Sequence, residues 1–326
     1  MLRFAIFGTL LALTSAASGP LAPTALAADY PTRPVTLTVP FPAGGATDVV
    51  ARLLAERVGP SLGQPMVIEN RGGASTTIGA TAVANAPKDG YTLLLASAST
   101  FTTIPHVMKV RYSLEDFEPI SLVVKVPFAF VVKKDFPAKT LAEFRALALA
   151  KPGTVNNATN GPGSLVHLAG EVAARELGVK VTHVHYRGAA PAMQDIMAGV
   201  MDSNVEALTN AVPNVAAGAY RALAVLSPER LPQMPDVPTF VELGYPKVQA
   251  ESFFAVLAPA GTPREVTARL SAEIDRVVRS ADFKARMEEI GNVAVPMGPA
   301  ELRSFIAKES ALWGEVIRQA GVKVEN

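Results

Sequence analysis

Ser164-Leu165-Val166-His167 sets a hydroxyl and an imidazole within one helical turn, the spacing of a nucleophile and its base. Two parts of a hydrolytic site are not recognisable: an acid to orient His167, and a G-x-S-x-G elbow to present Ser164. A Ser164 N-cap followed by a polar first-turn residue explains the same four positions. His183 and His185 share one face of a strand by alternation, a spacing that can bind metal. No third ligand is recognisable, and the chain has four histidines and no cysteine, so neither metal nor cofactor is expected. Gly161-Pro162-Gly163 begins like G-x-G-x-x-G, but Val166 stands where the third glycine belongs.

What remains is binding chemistry. Ser97, Ser99, Thr100, Asn157, Thr159, Asn160, Ser164 and Asn204 offer neutral polar groups, and several Gly-rich turns offer backbone N–H groups. A hydrogen bond to a charged group contributes about 1.5–3 kcal/mol. Four of them gross about 6–12 kcal/mol, against roughly 8 kcal/mol for a micromolar complex. Association costs come off that sum, yet a carboxylate can be held without arginine.

These groups sit in turns, so strands and helices must position them. Val35–Val39 reads as a strand and Val49–Val58 as a helix, joined by Pro40-Phe41-Pro42-Ala43-Gly44-Gly45-Ala46-Thr47-Asp48. The prolines fix φ, the glycines free the backbone, and Thr47 or Asp48 can cap the helix. A strand, a stiff turn and a helix N-terminus present N–H groups and partial positive charge to an anion. Similar small polar turns recur at 70–76, 97–100, 156–164 and 186–191. The pattern is α/β, and two sets of such turns indicate two lobes facing one cleft. Ile120–Val124 and Phe128–Val132 read as two extended runs broken by Lys125 and Pro127. Thr140 opens a helix over 141–150 with Glu143 in a capping box, and Thr262-Pro263-Arg264-Glu265 gives another helix start.

Arg3, the apolar run Phe4–Leu13 and Ala25-Leu26-Ala27 form a secretory signal, with cleavage expected after about Ala27. Its removal leaves 29 basic and 29 acidic residues, which argues against a nucleic-acid partner. With 49% hydrophobic residues the exported chain can build a core without disulfides.

Several stretches together resemble one family. They are Tyr30-Pro31-Thr32-Arg33-Pro34, Val39–Asp48, Leu62-Gly63-Gln64-Pro65, Glu69-Asn70-Arg71, Asp89–Leu94, His167-Leu168-Ala169-Gly170, Tyr186-Arg187-Gly188 and Ala258–Pro263. In this order they are similar to the Bug family, the extracytoplasmic solute-binding receptors of tripartite tricarboxylate transporters. The resemblance implies a two-lobed type II periplasmic-binding fold, the Venus flytrap, each lobe a sheet flanked by helices. Lobe 1 would comprise residues 29–126 and 253–326, and lobe 2 residues 127–252. It further implies a monomeric periplasmic protein, not an enzyme, that passes a small carboxylated solute to the transporter's membrane components.

By the same resemblance, Phe41, Pro42, Ala43, Gly44, Gly45, Thr47 and Asp48 close on the carboxylate from one lobe. Thr159, Asn160, Gly161, Gly163, Ser164 and His167 close from the other. Ser97, Ser99 and Thr100 line the first lobe, while Tyr186, Arg187, Gly188, Asn204, Val205 and Glu206 face the ligand's far end. The chain departs from the family pattern at His185 (often Pro), at Val205-Glu206 (often a Phe-Asp pair) and at Phe253 (often Trp). A cleft-facing Glu206 would repel a second carboxylate and favour an amino or amide group. Two other functions fit the same features: a secreted hydrolase using Ser164 and His167, and a ligand sensor that signals to a membrane protein.

Overall fold

Short apolar runs alternate with amphipathic stretches from residue 35 onward, and most of the runs become strands that feed helices. The computed structural model describes residues 30–320, so the signal segment over 1–27 lies outside the described residues. The first units are β1 (Val35–Val39), α1 (Ala46–Leu62), β2 (Met66–Asn70), α2 (Thr77–Ala84), β3 (Thr92–Ser97), α3 (Ala98–Thr102) and α4 (Ile104–Val107). The middle of the chain forms β4 (Phe117–Lys133), α5 (Leu141–Ala150), β5 (Asn156–Thr159), α6 (Leu165–Leu177), β6 (Thr182–His185) and α7 (Ala189–Met197). Then come β7 (Ser203–Ala207), α8 (Leu208–Ala216), β8 (Tyr220–Val225), β9 (Glu251–Pro259) and α9 (Arg264–Arg279). The described part ends with α10 (Ala281–Glu289), β10 (Val293–Met297) and α11 (Pro299–Ala320).

The strand order is β2-β1-β3-β9-β4-β7-β5-β6, with β8 and β10 also paired to β4. β1 runs parallel to β2 and β3, and β5 runs parallel to β6 and β7. Each parallel set has its own helices, so the residues form two α/β halves that share β4. The two apolar runs read around Lys125 and Pro127 are one strand of 17 residues. Its first part pairs antiparallel with β9 as far as Pro127↔Glu251, and from Phe128↔Ala207 onward it pairs with β7 and β8. Proline, which has no N–H to give a ladder, sits where the strand passes from one partner to the next. Lys125 is accommodated by an ion pair to Glu251 at 2.9 Å.

Core packing explains why these elements hold. β4 is buried on both faces, as a strand covered by helices on each side should be. In α1, Val50, Leu54 and Val58 are fully buried at helical spacing, each contributing about 1.5–3 kcal/mol relative to exposure. Around the second parallel set, Ala129, Val131, Ala158, Ile196 and Leu208 form one contiguous apolar cluster. β5 departs from the sequence reading, which places polar Asn156–Thr159 in the turn over 156–164. It becomes a strand because its polar groups find partners, Asn157 Oδ1 accepting Ser203 Oγ–H at 2.9 Å.

Four helix starts test local rules. Thr140 Oγ1 accepts the Glu143 N–H, and Ser164 Oγ accepts the His167 N–H, both as capping predicts. Neither Thr47 nor Asp48 caps α1: Gly45 is the N-cap, with no side-chain bond. At α9 the N-cap is Pro263, because Thr262 turns its hydroxyl back to the Pro259 carbonyl at 2.8 Å.

Candidate functional site

Five helices begin around one cavity between the two halves. Gly45, Ala46 and Thr47 bring the start of α1; Ser97 and Ser99 that of α3. Ser164, Leu165 and Val166 bring α6, Ala189 brings α7, and Ala207 stands at the start of α8. α1 and α7 have glycine N-caps and no side-chain capping bond, so their first amides are left to other partners. Partial positive charge from several helix ends adds at one point, and an anion is the natural occupant. Phe41, Val126, Phe128 and Phe254 supply apolar wall, which leaves room for the carbon skeleton of a small acid.

Two cavity-lining side chains carry buried polar atoms with no hydrogen-bond partner, Ser97 Oγ and Asn160 Oδ1. Leaving such a group unpaired costs about 1–3 kcal/mol. A ligand that accepts from Ser97 Oγ–H and donates to Asn160 Oδ1 recovers that cost.

The residues named from sequence fall into groups. Phe41, Gly45, Thr47, Ser97, Ser99, Asn160, Ser164 and Glu206 line the cavity. An outer depression next to it is bounded by Phe41, Asn160, Gly161, Tyr186 and Arg187. There the Tyr186 hydroxyl already donates to Asp195 at 2.5 Å, and burial with Asp195 beside it pushes the phenol up to about 12.

The others support the site from behind. Asp48 accepts from Gly44 N–H at 2.9 Å, Asn70 Nδ2 at 3.0 Å and Arg52 Nε at 3.0 Å, which pins the turn carrying Pro42, Ala43 and Gly44. Burial alone would raise the Asp48 carboxyl, but the bonds from Arg52, Gly44 and Asn70 outweigh it and hold it below the usual range. Thr100 gives its carbonyl to Tyr112, and Thr159 meets His185 Nδ1 at 2.7 Å. Val205 is fully buried on the β7 side facing α6, while Asn204 holds Glu206 at 2.8 Å. Reasoning from sequence missed Val126, Phe128, Leu165, Val166, Ala189, Ser252 and Phe254. Most are apolar, and no residue-type signal separates them from core.

The two sides touch directly. Leu165 N–H donates to Ser99 Oγ at 3.0 Å, and Ser75 Oγ–H donates to the Pro162 carbonyl at 3.0 Å. Ser75 lies in a turn where Ala74, Ser75 and Thr76 all have positive φ, a strain of about 1–3 kcal/mol per residue kept where the halves meet. Gly188, with φ +143, passes so close to the proline turn that an added Cβ would lie 2.9 Å from Pro42 Cδ. Ser99→Ala removes the acceptor of a buried amide, at a cost of about 1–3 kcal/mol. The expected result is a five- to 150-fold loss of ligand affinity with little change in the melting temperature of the ligand-free protein. Calorimetric titration beside thermal melting checks it.

His167, Glu171 and His183 are the group that could hold a metal among the described residues, with ligand atoms within 4.8 Å of one another. The tautomer opposes it. His167 Nδ1 accepts the Gly163 N–H at 3.1 Å, so the neutral ring carries its proton on Nε2, 3.7 Å from Glu171 Oε1. A metal on Nε2 would need the proton on Nδ1, against that N–H. His183 Nε2 lies 3.1 Å from Glu171 Oε1 but off hydrogen-bonding line. His167 and His183 together hold the Glu171 carboxyl well below the usual range. Burial is the leading cause that depresses the His185 imidazole, to about 4.

This corrects the sequence reading that no acid orients His167: Glu171, one turn along α6, is placed to do so. It does not complete a hydrolytic triad. Nδ1 is taken by the Gly163 N–H and Nε2 faces Glu171, while the Ser164 Oγ instead caps the helix.

Two α/β halves joined by a shared strand, with helix N-termini meeting over a cavity between them, define a two-lobed solute-binding protein. The chain matches the tripartite tricarboxylate transporter family receptor over residues 50–322, and it belongs to that family. Protein BugT of Bordetella pertussis is 37% identical over 318 residues, 95% of this chain and 96% of that protein. The periplasmic binding protein BugD superposes with a TM-score of 0.88 at 36% identity, covering 91% of this chain and 100% of BugD. Rpa4515 of R. palustris, solved with adipate, gives 0.88 at 34% identity over 90% of this chain and 99% of that one. MatC of Rhodopseudomonas palustris, solved with bound malate, gives 0.82 at 34% identity over 88% and 100%. The Bug resemblance and the two-lobed fold read from the sequence are therefore correct, and members of this family are periplasmic binding proteins.

Proposed function

We propose that the protein is an exported receptor that captures a small carboxylated organic solute between its lobes and delivers it to the membrane components of a tripartite tricarboxylate transporter. The observation that carries this is the meeting of five helix starts and the unpartnered Ser97 hydroxyl, a donor to an anion, at one cavity. Relatives solved with adipate and malate agree with a carboxylate occupant. The solute carboxylate faces the amides of Gly45–Thr47 and the Asn160–Ser164 turn; its far end lies toward Ala207 and Glu206.

The lobes divide at the pairing switch of β4. Residues 29–126 with 253–326 form one, and 127–252 form the other. They move as a hinge, opening to admit the solute and closing through the Ser99–Leu165 and Ser75–Pro162 bonds. Residues 1–27 are removed on export to the periplasm, and the protein acts there as a monomer, without cofactor, metal or nucleic acid. It performs no chemistry on the solute, since His167 has no nitrogen available to Ser164.

A thermal-shift screen over mono-, di- and aromatic carboxylates, with the same mixtures assayed for product, tests this reading. The expected result is a rise in melting temperature for one chemical class and recovery of the acid intact. Product formation, or no shift with any carboxylate, overturns it.

A further inference from the structure

The cavity wall holds a single ionisable side chain, Glu206, and no lysine, arginine or histidine. Glu206 is 1% exposed. Its Oε1 accepts the Asn210 amide at 2.9 Å and the Ala207 N–H at 3.2 Å, and its Oε2 accepts the Asn204 amide at 2.8 Å. Both asparagines turn their NH2 groups to it. Asn204 Oδ1 is left as a buried acceptor with no donor. Three donors fill three of about four lone-pair directions of a carboxylate, so one remains.

These contacts fit a carboxylate that accepts rather than donates. The start of α8 lies one residue beyond it and favours its negative charge. Tyr220 of β8 is the titratable group that feels it; burial, with the Glu206 charge adding, lifts that phenol above its usual range and keeps it neutral. The other polar side chains of the wall, Thr47, Ser97, Ser99, Asn160, Ser164 and Ser252, do not ionise. A buried carboxylate without a cation is costly, and that cost is relieved either by a proton or by a positive group on the solute.

We infer that Glu206 makes the far end of the cavity select a carboxylate solute bearing an ammonium or amide N–H donor, and reject dicarboxylates and tricarboxylates of matching length. This rests on the receptor reading above and deepens it. Proton linkage follows from the same contacts. Burial pushes the Glu206 carboxyl up to about 7, against the Asn210, Ala207 and Asn204 bonds that favour its charged form. An ammonium holds it ionised, so binding releases a proton and affinity rises with pH through this range. A dicarboxylate needs it protonated, so binding takes up a proton and affinity falls with rising pH.

The test is calorimetric titration of γ-aminobutyrate and 5-aminopentanoate against succinate and glutarate. It is run on the full mature chain and on Glu206→Gln, in two buffers of different ionisation enthalpy. Expected are at least tenfold tighter binding of the amino acids by the parent, with proton release, and a tenfold or greater narrowing of that ratio in the variant. The proton count on the parent stands without the variant, should Glu206→Gln fold poorly. Carboxylates bound with dicarboxylates preferred, an unchanged ratio, or no proton exchange would overturn the inference while the receptor stands. Failure of every acid to bind the parent would overturn both.

Discussion

Gly188→Ala is expected to weaken solute binding about thirtyfold and to lower the melting temperature by a few degrees. Gly188 has φ +143, a conformation that side chains rarely adopt, so the variant is strained in every state of the protein by about 1–3 kcal/mol. That part appears as lost stability. A second cost arises only when the lobes are closed, because the new methyl lies 2.9 Å from Pro42 Cδ and 3.4 Å from Pro42 Cγ. Pro42 cannot retreat, since its ring is backed by Gly72, where an added Cβ would stand 2.8 Å from the same Cδ. Overpacking of this kind costs about 1–3 kcal/mol, or five- to 150-fold in a dissociation constant. Titration of whichever acid stabilises the parent, paired with small-angle scattering of both states, separates the two effects. If affinity is unchanged while stability falls, Gly188 serves only the backbone and the closing contact is wrong.

Asp48→Ala is expected to lose about 3 kcal/mol of stability and tenfold or more in affinity. Its carboxylate is the acceptor for three donors that tie Gly44, Asn70 and Arg52 together, and its side chain is 5% exposed. Hydrogen bonds to a buried charged group contribute about 1.5–3 kcal/mol each, though not additively. The Arg52 partner is 56% exposed, so solvent discounts that pair, and the Gly44 and Asn70 bonds carry most of the effect. Without them the turn that places Phe41, Gly45 and Thr47 loosens, and affinity falls with it.

The same carboxyl predicts a pH profile. Its folded value lies below the ordinary one. It therefore adds stability above the unfolded value of about 3.9, and that stability is lost as pH falls through the folded value. The parent should lose melting temperature steeply below about pH 4, and Asp48→Ala should follow a shallower slope. Parallel slopes would show that Asp48 is not the linked group.

Much of the site could be read before the fold, and the physical division is clear at particular residues. Gly44-Gly45 after two prolines announces a stiff turn that exposes amides, and Ser164 announces a helix start; both rest on backbone chemistry within a few residues. Asp48 looked like a capping residue because local rules concern its own helix. Of its three partners, Asn70 lies on β2, and only folding brings it near. His167 shows the same limit: its spacing to Ser164 was legible, whereas its commitment to Gly163 and Glu171 depends on rotamer and tautomer. The polar strand Asn156–Thr159 was misread because its hydrogen bonds are supplied by β7.

The sequence by itself determined the α/β class, the family and the polar turns that line a cleft, because periodicity, glycine, proline and capping residues act over short spans. The tertiary structure decided the rest. It joined two apolar runs into the single strand β4, gathered five helix starts on one cavity, and enclosed Glu206 there without a cation. Those outcomes depend on contacts between residues far apart in the chain, and no local pattern encodes which distant group will meet a given carboxylate.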